Sequence, residues 1–341
     1  MNYLFAKRIS QIAIAALTLA MAVSANAQHI RRITTFATGT AVNGTGPDSI
    51  FLTRNSVWIA YTNGADSTGL SGSSTVVQYN LSGDVRHTYS IAGYVDGLRL
   101  DPRTGLVWAM QNQDGNSTLT LINPKTHTVS GPIPYAVTSS ARGYDDAVFR
   151  GDQVFLSYTN PVLPTDPTIQ LLKNGSDPLV VTPILTMGAR GTNLATGQPN
   201  QLTSDTDPDS LRLTPTGDLM LSAEADGQLI FVEKPGRRDQ SVSFLQLLDP
   251  STGLAVSSID DAVFATAREG VFYLSDTGNN RVLKIEVDHV RVGSLFCSIG
   301  SLNELALVDI HTGVTKPFLA NLNAPHGLEF VSHSDDDDNG Q

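Results

Sequence analysis

One six-residue string recurs through the chain, and it limits the possible folds more than any other feature. It reads PDSIFL from Pro47, VDGLRL from Val95, YDDAVF from Tyr144, PDSLRL from Pro208, IDDAVF from Ile259 and PHGLEF from Pro325. The shared pattern is an apolar residue or proline, then an acid (histidine in the last copy), a small residue and an alternating apolar pair. The second position is Asp48, Asp96, Asp145, Asp209, Asp260 and finally His326, at spacings of 48, 49, 64, 51 and 66 residues. A period of about 50 residues with this much drift is that of a propeller blade rather than of a helical solenoid.

The segments downstream of the copies agree. After a short turn comes a β-prone run: SVWIAYT, LVWAMQN, QVFLSYT, DLMLSAE and GVFYLSD. A polar loop leads to a third run, TVVQYNL, TLTLINP, TIQLLKN, QLIFVEK and RVLKIEV, and a weaker fourth run precedes the next copy. These are strand-length segments of β-branched and aromatic residues between Gly, Pro, Asn and Asp clusters. No stretch after residue 27 holds a capped helical apolar period for three turns. The expected fold is therefore all-β, a six-bladed β-propeller of four-stranded antiparallel blades, forming one domain over residues 28–331. Closure is the open point, and five or seven blades stay open on sequence alone. The last motif copy has no second and third strands after it, and SLFCSIG and ELALVDI, an extra pair within residues 288–313, are expected to supply them by a rearranged order. A rearranged strand order, with the N-terminal strand completing a blade, would tie the termini together and remove open sheet edges.

The first 27 residues read as a leader. Lys7 and Arg8 precede an apolar run from Ile12 to Val23, and Ala25-Asn26-Ala27 offers small residues around a cleavage point. The run is short for a membrane span, so the mature chain is expected to be periplasmic or secreted, without membrane insertion, and monomeric. The chain has 22 Lys and Arg against 33 Asp and Glu; two of the cations leave with the leader, which puts the mature chain at −13. Such a surface repels nucleic acid and attracts cations. The single cysteine, Cys297, excludes an intrachain disulfide and reads as a buried small hydrophobe. The acidic tail at 332–341 is expected to be disordered.

Loop lengths are one-sided. Turns between first and second strands are short, whereas loops at 63–74 and 160–167, and those entering the motif at 37–46, 136–143 and 187–207, are long. In an antiparallel blade both long classes lie on one edge, and loops of this kind commonly carry binding sites. The motif acid starts the innermost strand on that same edge. Asp48, Asp96, Asp145, Asp209, Asp260 and His326 are therefore expected to ring a channel mouth, with the second acids of the DD pairs, Asp146 and Asp261, close by. A column at the ends of the second strands, Thr62, Asn112, Thr159, Glu224 and Asp276, is expected to approach it. Two readings of the ring stand. Its acids accept backbone hydrogen bonds in the entering turns, or they hold a hard divalent cation, calcium or magnesium. His326 is the candidate catalytic residue, as base, metal ligand or anion-binding group.

DTGNNRVLKI, with PDSIFL, VDGLRL and PHGLEF at blade starts, resembles the NHL-repeat propellers. The broader group includes the gluconolactonase and senescence-marker family, strictosidine-synthase-like proteins and virginiamycin B lyase. The resemblance implies a divalent cation at the channel mouth, held by Glu, Asn and Asp. Asn112, Glu224, Asp276 and the ring residues Asp48, Asp96, Asp145, Asp209 and Asp260 match in type. The lyase resemblance implies His and Glu near the channel; His326 is the one comparable position, and Glu329, three residues on, need not share its environment. Two functions emerge as expectations: a binding module for a small-molecule ligand or a protein partner, or a metal-dependent hydrolase or lyase.

Overall fold

The computed structural model describes residues 29–136, 142–173 and 178–332. The leader and nearly all of the acidic tail lie outside them; Ser332, assigned to the tail, instead ends the last strand. Among the described residues six sheets form a ring, each built on a four-stranded antiparallel blade. Blades one to three run in simple order, each from an inner strand outward: Pro47–Thr53 to Val85–Ala92, Val95–Leu100 to Thr128–Pro134, and Tyr144–Arg150 to Val180–Thr186. Blade four starts at Pro208–Leu213 and ends at Ser241–Gln246.

The last two blades exchange strands. The inner strand Ile259–Phe264 pairs with Leu295–Ile299, followed by Glu304–Val308 and Thr315–Leu319, to make blade five. The intervening pair Gly270–Asp276 and Arg281–Asp288 belongs to blade six, on the inner strand Pro325–Ser332. The expected assignment of GVFYLSD and RVLKIEV to the Ile259 unit is corrected here. Sequence adjacency suggested it, but the extra strand pair satisfies that unit's ladder. The N-terminal strand His29–Thr38 then pairs with Arg281–Asp288 as the outer strand of blade six, so the ring closes through both ends of the chain.

Apolar clusters fill the seams between blades. Trp58, wholly buried, stacks between Phe51 and Tyr89 with centroids 5.8 Å from each. Cys297 is buried in the cluster between blades four and five. At the closure, Phe36 of the N-terminal strand meets Tyr79 of blade one and Tyr273 of blade six edge-on, at 5.7 and 5.0 Å.

The insertion at 187–207, expected to crowd the mouth, is drawn largely outward. Arg190–Asn193 runs parallel to the outer strand of blade four at Thr192↔Ser243, and Gln201–Leu202 folds back on it. Among the described residues no helix is long and apolar enough to cross a membrane.

Candidate functional site

Each inner strand carries one extra residue relative to its neighbour at the motif. The register steps between Pro47 and Ile50, Val95 and Leu98, Tyr144 and Ala147, Pro208 and Leu211, and Ile259 and Ala262, with the same step opposite Leu274 and Asp276 in blade six. Such bulges re-aim side chains. Here the bulge holds the ring residue and the small residue after it, which explains the spacing of the motif. The residues after the ring acids latch the blades. Ser49 Oγ accepts the Leu98 N–H at 2.9 Å, Asp146 Oδ2 that of Leu211 at 3.1 Å, and Asp261 Oδ2 that of Leu328 at 2.8 Å. In blades two and six the counterpart must be glycine: a Cβ on Gly97 would lie 2.1 Å from Asp145 O, and one on Gly327 2.2 Å from Asp48 O.

The second-strand ends meet the entering loops on the same edge. Thr62, Asn112, Thr159, Glu224, Gly300 and Thr277 donate their N–H groups to Gly46, Tyr94, Gly143, Asp207, Ser258 and Ala324. The counterpart in blade six is thus Thr277, one residue beyond Asp276. Because side chains alternate along a strand, Asp276 turns inward. Wholly buried, it accepts from Asn323 N at 2.7 Å, Asn279 Nδ2 at 2.9 Å and Arg281 Nε at 2.7 Å. Asn112 also turns away. With φ of 62° its Oδ1 accepts the Tyr94 N–H at 3.0 Å and its Nδ2 reaches Asn116 O. Neither lines the mouth.

The six ring residues do come together, in two halves. Asp48, Asp260 and His326 offer ligand atoms within 4.8 Å of one another, and so do Asp96, Asp145 and Asp209. In the first half His326 Nδ1 lies 3.0 Å from both Asp48 Oδ1 and Asp260 Oδ2, and Tyr94 Oη donates to Asp48 Oδ2 at 3.0 Å. Burial opposes an imidazolium, but Asp260 and Asp48 outweigh it and raise the His326 pKa well above its ordinary value. Burial pushes Asp260 up to about 6, with His326 pulling the other way.

Among the described residues the second half has no such counter-charge. Burial, then neighbouring carboxylates, push Asp96, Asp145 and Asp209 well above the usual carboxylate range. Asp145 is 5 % exposed, and its Oδ1 has no hydrogen-bond partner among the described residues. This donor set fits a hard cation. Carboxylate oxygens within 4.8 Å of each other are a span that two Ca–O bonds of about 2.4 Å can bridge. Above them opens a cavity of about 170 Å³, to which Tyr94, Asp114, Asn160, Asp207 and Glu224 contribute along with the ring. Burial, Asp260 and Asp207 push Glu224 up to about 7.

Sequence reasoning missed Asp207, Asp114 and Asn160. Their signal was position: Asp207 stands two residues before a ring acid, and Asn160 directly follows the Thr159 column position. Asn160 Nδ2 donates to Asp114 Oδ1 at 2.8 Å across blades two and three.

Beneath the ring lies a buried ion network. Arg99 pairs with Asp146 at 2.5 Å, and Arg212 pairs with Asp261 at 2.9 Å and with Glu329. Glu329 thus belongs to this lower layer, apart from His326.

No family model matches the sequence, and no curated protein matches it. Solved structures do. A structural genomics protein of unknown function from Bacteroides thetaiotaomicron superposes with a TM-score of 0.51 at 9% identity, over 89% of this chain and 66% of that one. The Pseudomonas aeruginosa periplasmic gluconolactonase gives 0.49 at 13% identity, over 84% and 88% of the two chains. Virginiamycin B lyase from Staphylococcus aureus gives 0.48 at 12%, over 89% and 97%. The likeness is one of fold. At this identity it transfers the propeller and leaves the chemistry to be argued from the residues.

Proposed function

We propose that this chain is an exported propeller that binds a small polar ligand at its channel mouth through a divalent cation, calcium or magnesium, held by Asp96, Asp145 and Asp209. One observation carries the reading: three clustered carboxyls, one with an uncommitted buried oxygen, at the base of an open cavity on the long-loop face. The cavity's polar lining suits a ligand rich in hydroxyl or carbonyl oxygens. The leader-like N-terminus supports export.

The test is a calorimetric titration of calcium and magnesium into EDTA-treated mature protein. A binding event is expected in the wild type that Asp145→Asn lacks. Unchanged binding in that variant would sink the assignment.

A second reading, hydrolysis or elimination on the bound ligand, is favoured by His326 and Glu224 sharing this cavity. When bound, a divalent cation supplies Lewis acidity toward a carbonyl oxygen. The chain's own groups then divide the proton work. His326, protonated between Asp48 and Asp260, is the donor, and Glu224 is the acceptor. The resemblance of the blade motifs to the gluconolactonase group makes a lactone the first substrate class to assay.

A further inference from the structure

A second polar cluster lies outside the mouth cavity, between blades three and four. Asp205 follows the Gln201–Leu202 strand of the insertion and is 0% exposed; the Thr168 and Thr203 hydroxyls stand beside its carboxyl, but among the described residues neither carboxylate oxygen has a hydrogen bond of good geometry. Thr168, in the blade-three strand Pro167–Lys173, is also 0% exposed with an unpartnered Oγ1. Thr203, 3% exposed, stands beside the same carboxyl. Its hydroxyl proton is committed, because Thr203 Oγ1 donates to Ala189 O at 3.1 Å. Toward Asp205 it can offer only lone pairs.

The flanking residues face the other way. Ser204 Oγ and Thr206 N both donate to Asp226 of blade four, at 2.7 Å. Asp205 instead stands beside Thr168 of blade three. Buried oxygen lone pairs converge there with at most one hydroxyl proton among them, a costly arrangement unless a cation fills it. Without a cation, burial pushes the Asp205 carboxyl up to about 8, and a proton takes the place.

We infer that Asp205, Thr168 and Thr203 form a structural site for a hard metal cation of the calcium or sodium type, which pins the 187–207 insertion to blade three. All the donors are oxygens, as such ions require. The consequence reaches the mouth, because Asp207, two residues on, lines that cavity. The cation would hold one wall of the site in place.

The test is amide hydrogen exchange over residues 201–207 of the mature protein, stripped with EDTA into a choline buffer, then given calcium chloride or sodium chloride. In the wild type and in Asp145→Asn, one of these cations should slow exchange about tenfold. Asp205→Asn should show no response. Thr168→Val, which keeps the carboxyl and loses one donor, should need more cation for the same protection, and it carries the test if Asp205→Asn does not fold. A response confined to calcium or to sodium identifies the ion. A wild type insensitive to both, or an Asp205→Asn variant that responds as the wild type does, overturns the inference. Loss of the response in Asp145→Asn alone would assign the effect to the mouth instead.

Discussion

Replacing Arg212 with methionine, similar in length and uncharged, removes the central cation from the buried network under the mouth. The Arg212 side chain is 14% exposed. It donates to Asp261 through Nε at 3.1 Å and a terminal nitrogen at 2.9 Å, to Leu328 O at 2.9 Å, and to Glu329. Removing one partner of a buried pair strands the other's charge, at about 3–5 kcal/mol. Two features moderate this. Asp261 keeps the Leu328 N–H at 2.8 Å and the Ser210 hydroxyl at 2.5 Å, and Arg99 stands 4.0 Å from Glu329. The expected loss is therefore at the lower end, about 3 kcal/mol. The sign of its pH dependence comes from Asp261. Burial alone would raise its pKa, but Arg212 and then Arg99 outweigh burial and hold it below the ordinary value. A depressed folded pKa contributes stability above the unfolded value and loses it as pH falls through the folded one. In the variant Asp261 loses its main counter-charge, titrates higher and takes up a proton on acidification, so the gap to wild type should narrow from about pH 7.5 to about pH 4.5. Urea unfolding followed by the fluorescence of Trp58 and Trp108, both buried, measures the difference. A loss under about 1 kcal/mol, or a gap that does not change with pH, would refute the idea that this network is a paired, desolvated unit.

The mouth makes the opposite pH prediction. Asp96, Asp145 and Asp209 have folded pKa values raised above the unfolded ones, and Glu224 reaches about 7, so their contribution is full at low pH and is lost as pH rises through the folded values. Raised His326 acts in the same direction, its stabilisation being complete below its unfolded pKa. Metal-free protein should thus lose melting temperature from about pH 5 to about pH 8, and calcium should reverse the loss with release of protons; a flat metal-free profile would contradict the electrostatics of the ring. At the closure, Phe36→Ala removes a half-buried ring that joins the N-terminal strand to blades one and six, at a cost of about 2 kcal/mol by equilibrium unfolding. A neutral result there would mean that the N-terminal strand contributes little to closing the ring.

The blade rhythm was legible because it rests on local physics. Strand propensity, turn residues and a bulge at the ring position recur in all six copies, so the ring of Asp48, Asp96, Asp145, Asp209, Asp260 and His326 could be read from spacing. Glu224 was legible for the same reason, since it ends a regular second strand. Asp276 was misplaced by a single position: only the backbone bond from Thr277 to Ala324 fixes the column in blade six, and a shift of one residue reverses the side of the strand. Strand exchange between the last two blades is likewise absent from any local signal. SLFCSIG and RVLKIEV are equally good strands, and which inner strand each one joins depends on the neighbours available when the ring closes. The division of the ring into a His326 half, carrying its own counter-charge, and an Asp96–Asp145–Asp209 half, carrying none, also belongs to the tertiary structure. By itself the sequence determined that six acids or their replacement would stand at six strand starts. Only the closed ring decided which of them are neighbours, and proximity in a largely buried mouth turns ordinary carboxyls into a site.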